Sequence, residues 1–203
     1  MKRKYLVMVL VAWSSLGLQA QKVKKQPWID FNPAFRFGFQ YPQLVGSNFF
    51  ADDLSESLGF HSSLSLVKIA NFRATVGWEL QGYRNNNPNR IGNFSHIQSS
   101  TALFQVEYEH PLNGQWVLNP TLAYGQSRIT YRATRSGTTL ARQSWEEIRL
   151  GSYLNYSFDK TFVGYVGLHY AFLYNSDIKA SPADEDYFGR GNKLVLSLGI
   201  LIH

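Results

Sequence analysis

Three groups of residues in this 203-residue chain are of types that do chemistry. The first is His61-Ser62-Ser63 with Glu79. Hydrolytic catalysis needs a nucleophile, a base and an orienting acid within reach of one another. In an extended chain alternate side chains share a face, so His61 and Ser63 would stand together, with Glu79 on the following segment. The second group is Arg36, Arg73, Glu79, Glu107, Glu109, Glu147 and Arg149, with His61 and His169. Such a set either neutralises itself in a packed interior or lines a path for ions. The third is Arg128, Arg132, Arg135 and Arg142, a basic cluster suited to phosphate groups.

Other motifs carry less. Asp184-Glu185-Asp186, with Asp177 nearby, is acidic, but calcium sites need more ligands at fixed spacing; a hydrated loop tip is the expectation. Gly189-Arg190-Gly191 is too short for a phosphate-binding loop. The absence of Cys removes disulfides, zinc-thiolate sites, thiol catalysis and lipoprotein acylation. No cofactor, no metal and no catalytic residue is expected.

The elements that must position these groups have an unusual period. From Ile29 to Tyr41 every second residue is apolar (Ile29, Phe31, Pro33, Phe35, Phe37, Phe39, Tyr41), and the intervening residues are small, polar or charged. Successive side chains of a strand face opposite ways, so the segment has one aromatic wall and one polar wall. Its length suits the roughly 9–11 residues that cross a bilayer obliquely. The pattern recurs near residues 58–67, 72–81, 101–109, 116–125, 147–158, 162–172 and 194–203, which predicts eight strands. No comparable stretch has a helical period. Short connections (Lys68–Asn71, Glu109–Gln115, Asp159–Lys160) alternate with long polar ones (Pro42–Ser57, Arg84–Asn93, Ile129–Gln143, Asn175–Gly191). Outer-membrane barrels show that asymmetry.

Lys2, Arg3 and Lys4 precede an apolar stretch, Leu6 to Ala12, and small residues end at Ala20. This is the order of a cleaved signal peptide, expected over residues 1–20. Residues 21–27 then form a short periplasmic segment and 28–203 a single barrel domain. Removal of the leader takes three basic residues from the twenty and leaves seventeen against fourteen acidic, a net charge of +3. Nucleic-acid binding loses its main support with them.

A soluble β-sandwich would also alternate, but three features favour a membrane barrel. The segments are long; Gly38, Gly59, Gly77, Gly125, Gly151, Gly167 and Gly199 sit on the polar face; and aromatics gather at segment ends. The fold class read here is all-β, an eight-stranded antiparallel up-and-down transmembrane β-barrel. Its charged residues then point inward, where opposite charges should pair. Arg73 and Glu107 are the preferred pair. Pro33 lacks a ladder donor, so a bulge or missing hydrogen bond is expected there.

These residues, with the leader ending Gln19-Ala20-Gln21 and the terminal Lys193–His203 strand, resemble the small outer-membrane β-barrel proteins of Gram-negative bacteria. The resemblance is strongest to the "outer membrane beta-barrel" families of Bacteroidota and extends to the OmpA/OmpX type. It implies residence in the outer membrane, contact with lipid and lipopolysaccharide, and folding by the assembly machinery that reads the last strand. The chain departs from the usual pattern in ending with His203 rather than an aromatic residue. No peptidoglycan-binding domain is expected after the last strand. The functional expectation is a non-enzymatic structural or interaction barrel with a side-chain-filled, charged lumen acting through its long loops. The alternatives are a narrow or gated pore and, further off, an outer-membrane lipid hydrolase. Arg128, Arg132, Arg135 and Arg142 are the expected lipopolysaccharide contacts.

Overall fold

The computed structural model describes residues 29–92, 94–133, 138–178, 181 and 184–203. The leader, the 21–27 segment and Arg135 lie outside the described residues. Eight long strands form the wall: β1 (Ala34–Val45), β2 (Gly59–Ile69), β3 (Phe72–Asn85), β4 (Phe94–Tyr108), β5 (Trp116–Ala133), β6 (Thr139–Ser157), β7 (Phe162–Tyr174) and β8 (Gly191–Ile202). Each pairs antiparallel with the next, and β8 returns to β1 in register from Asn192↔Val45 to Ile202↔Phe35, which closes the sheet. Closure leaves no sheet edge along the wall.

The alternation decides which solvent each face meets. Along β1, Phe35, Phe37 and Phe39 are 42–46% exposed while Arg36 and Gln40 are buried at 2% and 4%. The same parity holds around the barrel, so the outside is a continuous apolar band of a size that monomers in water do not present. Lipid is the solvent that this surface fits. Aromatic rings group at its lower margin, with Trp116 on Tyr156 at 4.8 Å, Tyr156 on Phe158 at 5.2 Å and Phe72 on Tyr108 at 5.1 Å. That is the interfacial girdle of a spanning barrel.

The short turns are stabilised by their own side chains. Asn113 Oδ1 accepts from the Gln115 and Trp116 amides at 3.0 Å each. Asp159 Oδ1 accepts from the Thr161 and Phe162 amides at 2.7 and 2.8 Å, and those two donors hold its carboxyl below the usual range. The ladder breaks at Pro33, as a residue without an N–H requires. Asp30 pairs with Lys68 and Ala34 with Ser65, which leaves three residues opposite two. The Arg73 guanidinium donates to the freed Asn32 carbonyl at 3.1 Å.

Three expectations are corrected. Ile129–Gln143 is not a long loop: β5 and β6 run on to Ala133 and from Thr139 and stand above the membrane as a hairpin. Among the described residues three short helices occur, α1 (Phe49–Asp53), α2 (Pro88–Ile91) and α3 (Glu185–Gly189), each set in a long connection. The interior is also not charged throughout. Tyr83, Ile97, Ile129, Tyr131, Trp145 and Leu173 make its extracellular storey apolar.

Candidate functional site

The lumen is best built upward from the periplasmic end. All nine predicted interior residues point inward; Arg36, His61, Arg73, Glu79, Glu107, Glu147, Arg149 and His169 are buried and Glu109 is half-buried. In the lowest layer Arg73 Nε donates to Glu109 Oε1 at 2.8 Å, and Lys68 pairs with the same carboxylate. In the middle layer Arg36 holds Glu107 in a two-pronged pair at 2.6 and 2.9 Å. Gln105 and Asn119 donate to Glu107 as well, at 2.8 and 3.0 Å, so this buried carboxylate is surrounded by donors. The Arg36 guanidinium lies 3.8 Å from the centre of the Tyr153 ring, a cation–π contact.

Arg73 and Glu107 therefore do not pair, although they stand opposite each other in the β3–β4 register. Register fixes Cβ positions, while a long side chain can choose among partners. Arg36 reaches Glu107 from β1 across the barrel, and Arg73 turns down to Glu109 and the broken ladder at Asn32.

In the upper charged layer Arg149 grips Glu79 at 2.6 and 2.8 Å and donates through Nε to Glu147 at 2.9 Å. Lys193 Nζ lies 2.9 Å from Glu147 Oε2. Two cations thus meet two carboxylates, the pairing that burial demands. Lys193 was not among the expected interior residues, yet its signal is in the strand: Leu194, Leu196 and Leu198 face out, so Lys193 must face in.

The hydrolase arrangement does not assemble. His61 and Glu79 are register partners, but Arg149 occupies both oxygens of Glu79. His61 Nδ1 lies instead 3.3 Å from the Tyr165 hydroxyl, and Ser63 Oγ is buried without a hydrogen-bond partner among the described residues. His169 packs its ring on Tyr153 at 4.5 Å. The acidic residues of the last connection also stay apart. Asp177 binds the Ser144 amide at 2.7 Å and Asp184 accepts from Ser181 at 2.7 Å; no metal-like cluster of acidic or histidine side chains occurs among the described residues.

Above the charged layers the first long connection folds into the mouth. Asn48 caps α1 by accepting from the Ala51 amide at 3.1 Å, and the helix sets Phe49 and Phe50 on the apolar storey. Phe50 meets Trp145 at 5.3 Å and Tyr83 at 5.9 Å, and Phe49 meets Phe188 of α3 at 5.7 Å. Asp53, 1% exposed, ties the crown together. Its carboxylate accepts from Asn87 and Tyr187 at 3.1 Å each, which links the first, second and fourth connections. Burial, followed by this bond to Asp53, pushes the Tyr187 phenol up to about 12.

Three of the four arginines of the basic cluster are among the described residues. Arg128 and Arg132 on β5 and Arg142 on β6 are exposed on the outer side of the projecting hairpin, where Arg142 stands opposite Thr130, between the two.

A closed eight-stranded antiparallel sheet, an apolar outer band and a filled polar interior define the transmembrane barrels of the outer-membrane type. Solved structures that share that fold with this chain include the following two. Neisserial surface protein A is similar at a TM-score of 0.59 and 10% identity, over 86% of this chain and 97% of its own. A major outer membrane protein from Thermus thermophilus is similar at 0.57 and 12% identity, over 84% and 99%. No family model matches the sequence, and no curated protein matches it.

Proposed function

We propose that this protein is an integral outer-membrane barrel with a closed lumen, which serves a structural or interaction role through its extracellular crown. The observation that carries the reading is the stacking of three ion-paired layers beneath an aromatic plug. Eight strands leave an interior that side chains can fill, and here they fill it with neutralised charge. An ion crossing it would have to break pairs held at 2.6–2.9 Å. Single-channel recording on the refolded protein in planar bilayers is expected to give a flat baseline; a steady, reproducible conductance would replace this reading with the gated pore.

The partners proposed are outer-membrane lipid, lipopolysaccharide and, during biogenesis, the assembly machinery. Arg128, Arg132 and Arg142 share one outward face just above the apolar band, at the height where lipopolysaccharide phosphates lie. Guanidinium groups suit such phosphates because they present forked donors. Glutamine at these three positions and at Arg135 is expected to lower the lipopolysaccharide retained by the purified barrel several-fold. Unchanged retention removes the assignment. The protein is proposed to be non-enzymatic, since among the described residues His61 turns to Tyr165, Glu79 is taken by Arg149 and Ser63 has no partner.

A further inference from the structure

We infer that the extracellular crown holds a binding site for a single-chain anionic amphiphile, a medium-chain carboxylate. A cavity of about 280 Å³ lies between α1, α2, the β5–β6 hairpin and α3. Phe49, Phe94, Tyr131 and Phe188 supply most of its wall. Its polar wall group is already satisfied: Gln143 accepts from the Tyr131 hydroxyl at 2.8 Å and donates to Ser176 Oγ at 2.8 Å and to the Phe188 carbonyl at 3.3 Å. A polar occupant would therefore lose its hydration without gaining partners there, whereas a hydrocarbon chain loses nothing.

Charge selects the other end of the occupant. Arg90 belongs to the lining, while the Arg142 side chain points to the outer side of the hairpin. Arg90 is 49% exposed, stacks on Tyr187 at 4.2 Å and is ion-paired with Asp53 at 3.8 Å, a separation beyond hydrogen-bond reach. The Arg90 guanidinium reaches no hydrogen-bond acceptor among the described residues, so its forked donors are open to a carboxylate. Size selects the number of chains. Sites for drug-sized ligands run from roughly 300 to 1,000 Å³, and this one, at about 280 Å³, falls just below, a size that suits one short chain better than several. The cavity also lies above the aromatic plug, so it is reached from outside the cell and not from the lumen. Arg90 has no part in the lipopolysaccharide proposal, so a change there separates the two sites.

The test uses the protein refolded into nanodiscs of zwitterionic lipid and titrated with 11-bromoundecanoate, a short-range quencher of tryptophan. Trp145 is 1% exposed and stacks on the cavity residue Phe49 at 6.2 Å. Its emission, isolated as the difference from Trp145→Phe, should fall saturably. Arg90→Gln should weaken binding by about tenfold, the loss of one charge-assisted contact, and 11-bromoundecanol should bind weaker by a similar factor. Ala141→Trp, which fills the cavity from β6, should abolish saturable quenching. Ile178→Trp fills it from the last connection and serves if the first variant does not refold. Quenching that never saturates, that persists in both filled variants, or that is equal for acid and alcohol overturns the inference. So does loss of carboxylate binding in discs that contain lipid A, because the occupant would then be the multi-chain lipid.

Discussion

Replacement of Arg149 by methionine is expected to destabilise the barrel by about 3–5 kcal/mol, the usual cost of removing one partner from a buried ion pair. Arg149 supplies both bonds to Glu79 and a further bond to Glu147, and all three side chains are at most 3% exposed. Without it two carboxylates face each other with Lys193 as the remaining cation of the layer. Lysine at position 149 should recover part of the loss, since it restores the charge but not the fork. Urea titration of the refolded protein in lipid vesicles, followed by heat-dependent gel mobility, measures both variants. The same experiment bears on function. A cost under about 1 kcal/mol would place the layer in the range of solvated surface pairs, and a hydrated lumen is what a pore needs.

The second large effect belongs to the seam where the last strand closes on the first. Gly38 and Gly199 are register partners there. A Cβ on Gly199 would come 2.2 Å from the Phe37 carbonyl oxygen and 2.6 Å from Gly38 Cα. One on Gly38 would come 2.4 Å from both the Leu198 carbonyl oxygen and the Tyr165 hydroxyl. The obstructing atoms include backbone that cannot retreat without opening the ladder. Gly199→Ala is expected to cost about 1–3 kcal/mol, the range for overpacked sites, and to lower the yield of the closed, heat-modifiable form. Gly114→Ala in an open turn, where a Cβ meets nothing within 4 Å, is the matched control and should behave as wild type. Equal refolding yields for the two alanine variants would show that the seam has slack.

The first effect depends on side chains whose direction is legible in the chain and whose partners are not. Direction follows from a period of two, so Arg36, Glu79, Glu107 and Arg149 could be placed inside without a structure. Partners depend on which side chains meet across the barrel. Arg36 and Glu107 are 71 residues apart and belong to strands that are not neighbours, so no local pattern joins them. Neighbour register favoured Arg73 with Glu107, and the longer reach of two arginines decided otherwise.

The crown shows the same division. In the sequence the hairpin above the membrane resembles a loop, because outward apolar residues stop at Tyr124. In fact the alternation continues with its polarity reversed: Arg128, Thr130 and Arg132 face out, and Ile129, Tyr131 and Trp145 face in. That reversal is written in the sequence, and it marks the height at which the outer solvent changes from lipid to water. The role of Phe49, Phe50 and Asp53 is not written there. A five-residue helix has no periodic signature, and its aromatic side chains acquire a purpose from the mouth into which they fold.

The sequence by itself determined the number of staves, the face each residue presents and the alternation of short and long connections, because pleat and solvent act on every strand locally. The tertiary structure alone decided which charges neutralise one another, how the mouth is stoppered and where an apolar cavity remains in the crown. Those outcomes depend on distances between residues far apart in the chain, and such distances are set when the eighth strand meets the first.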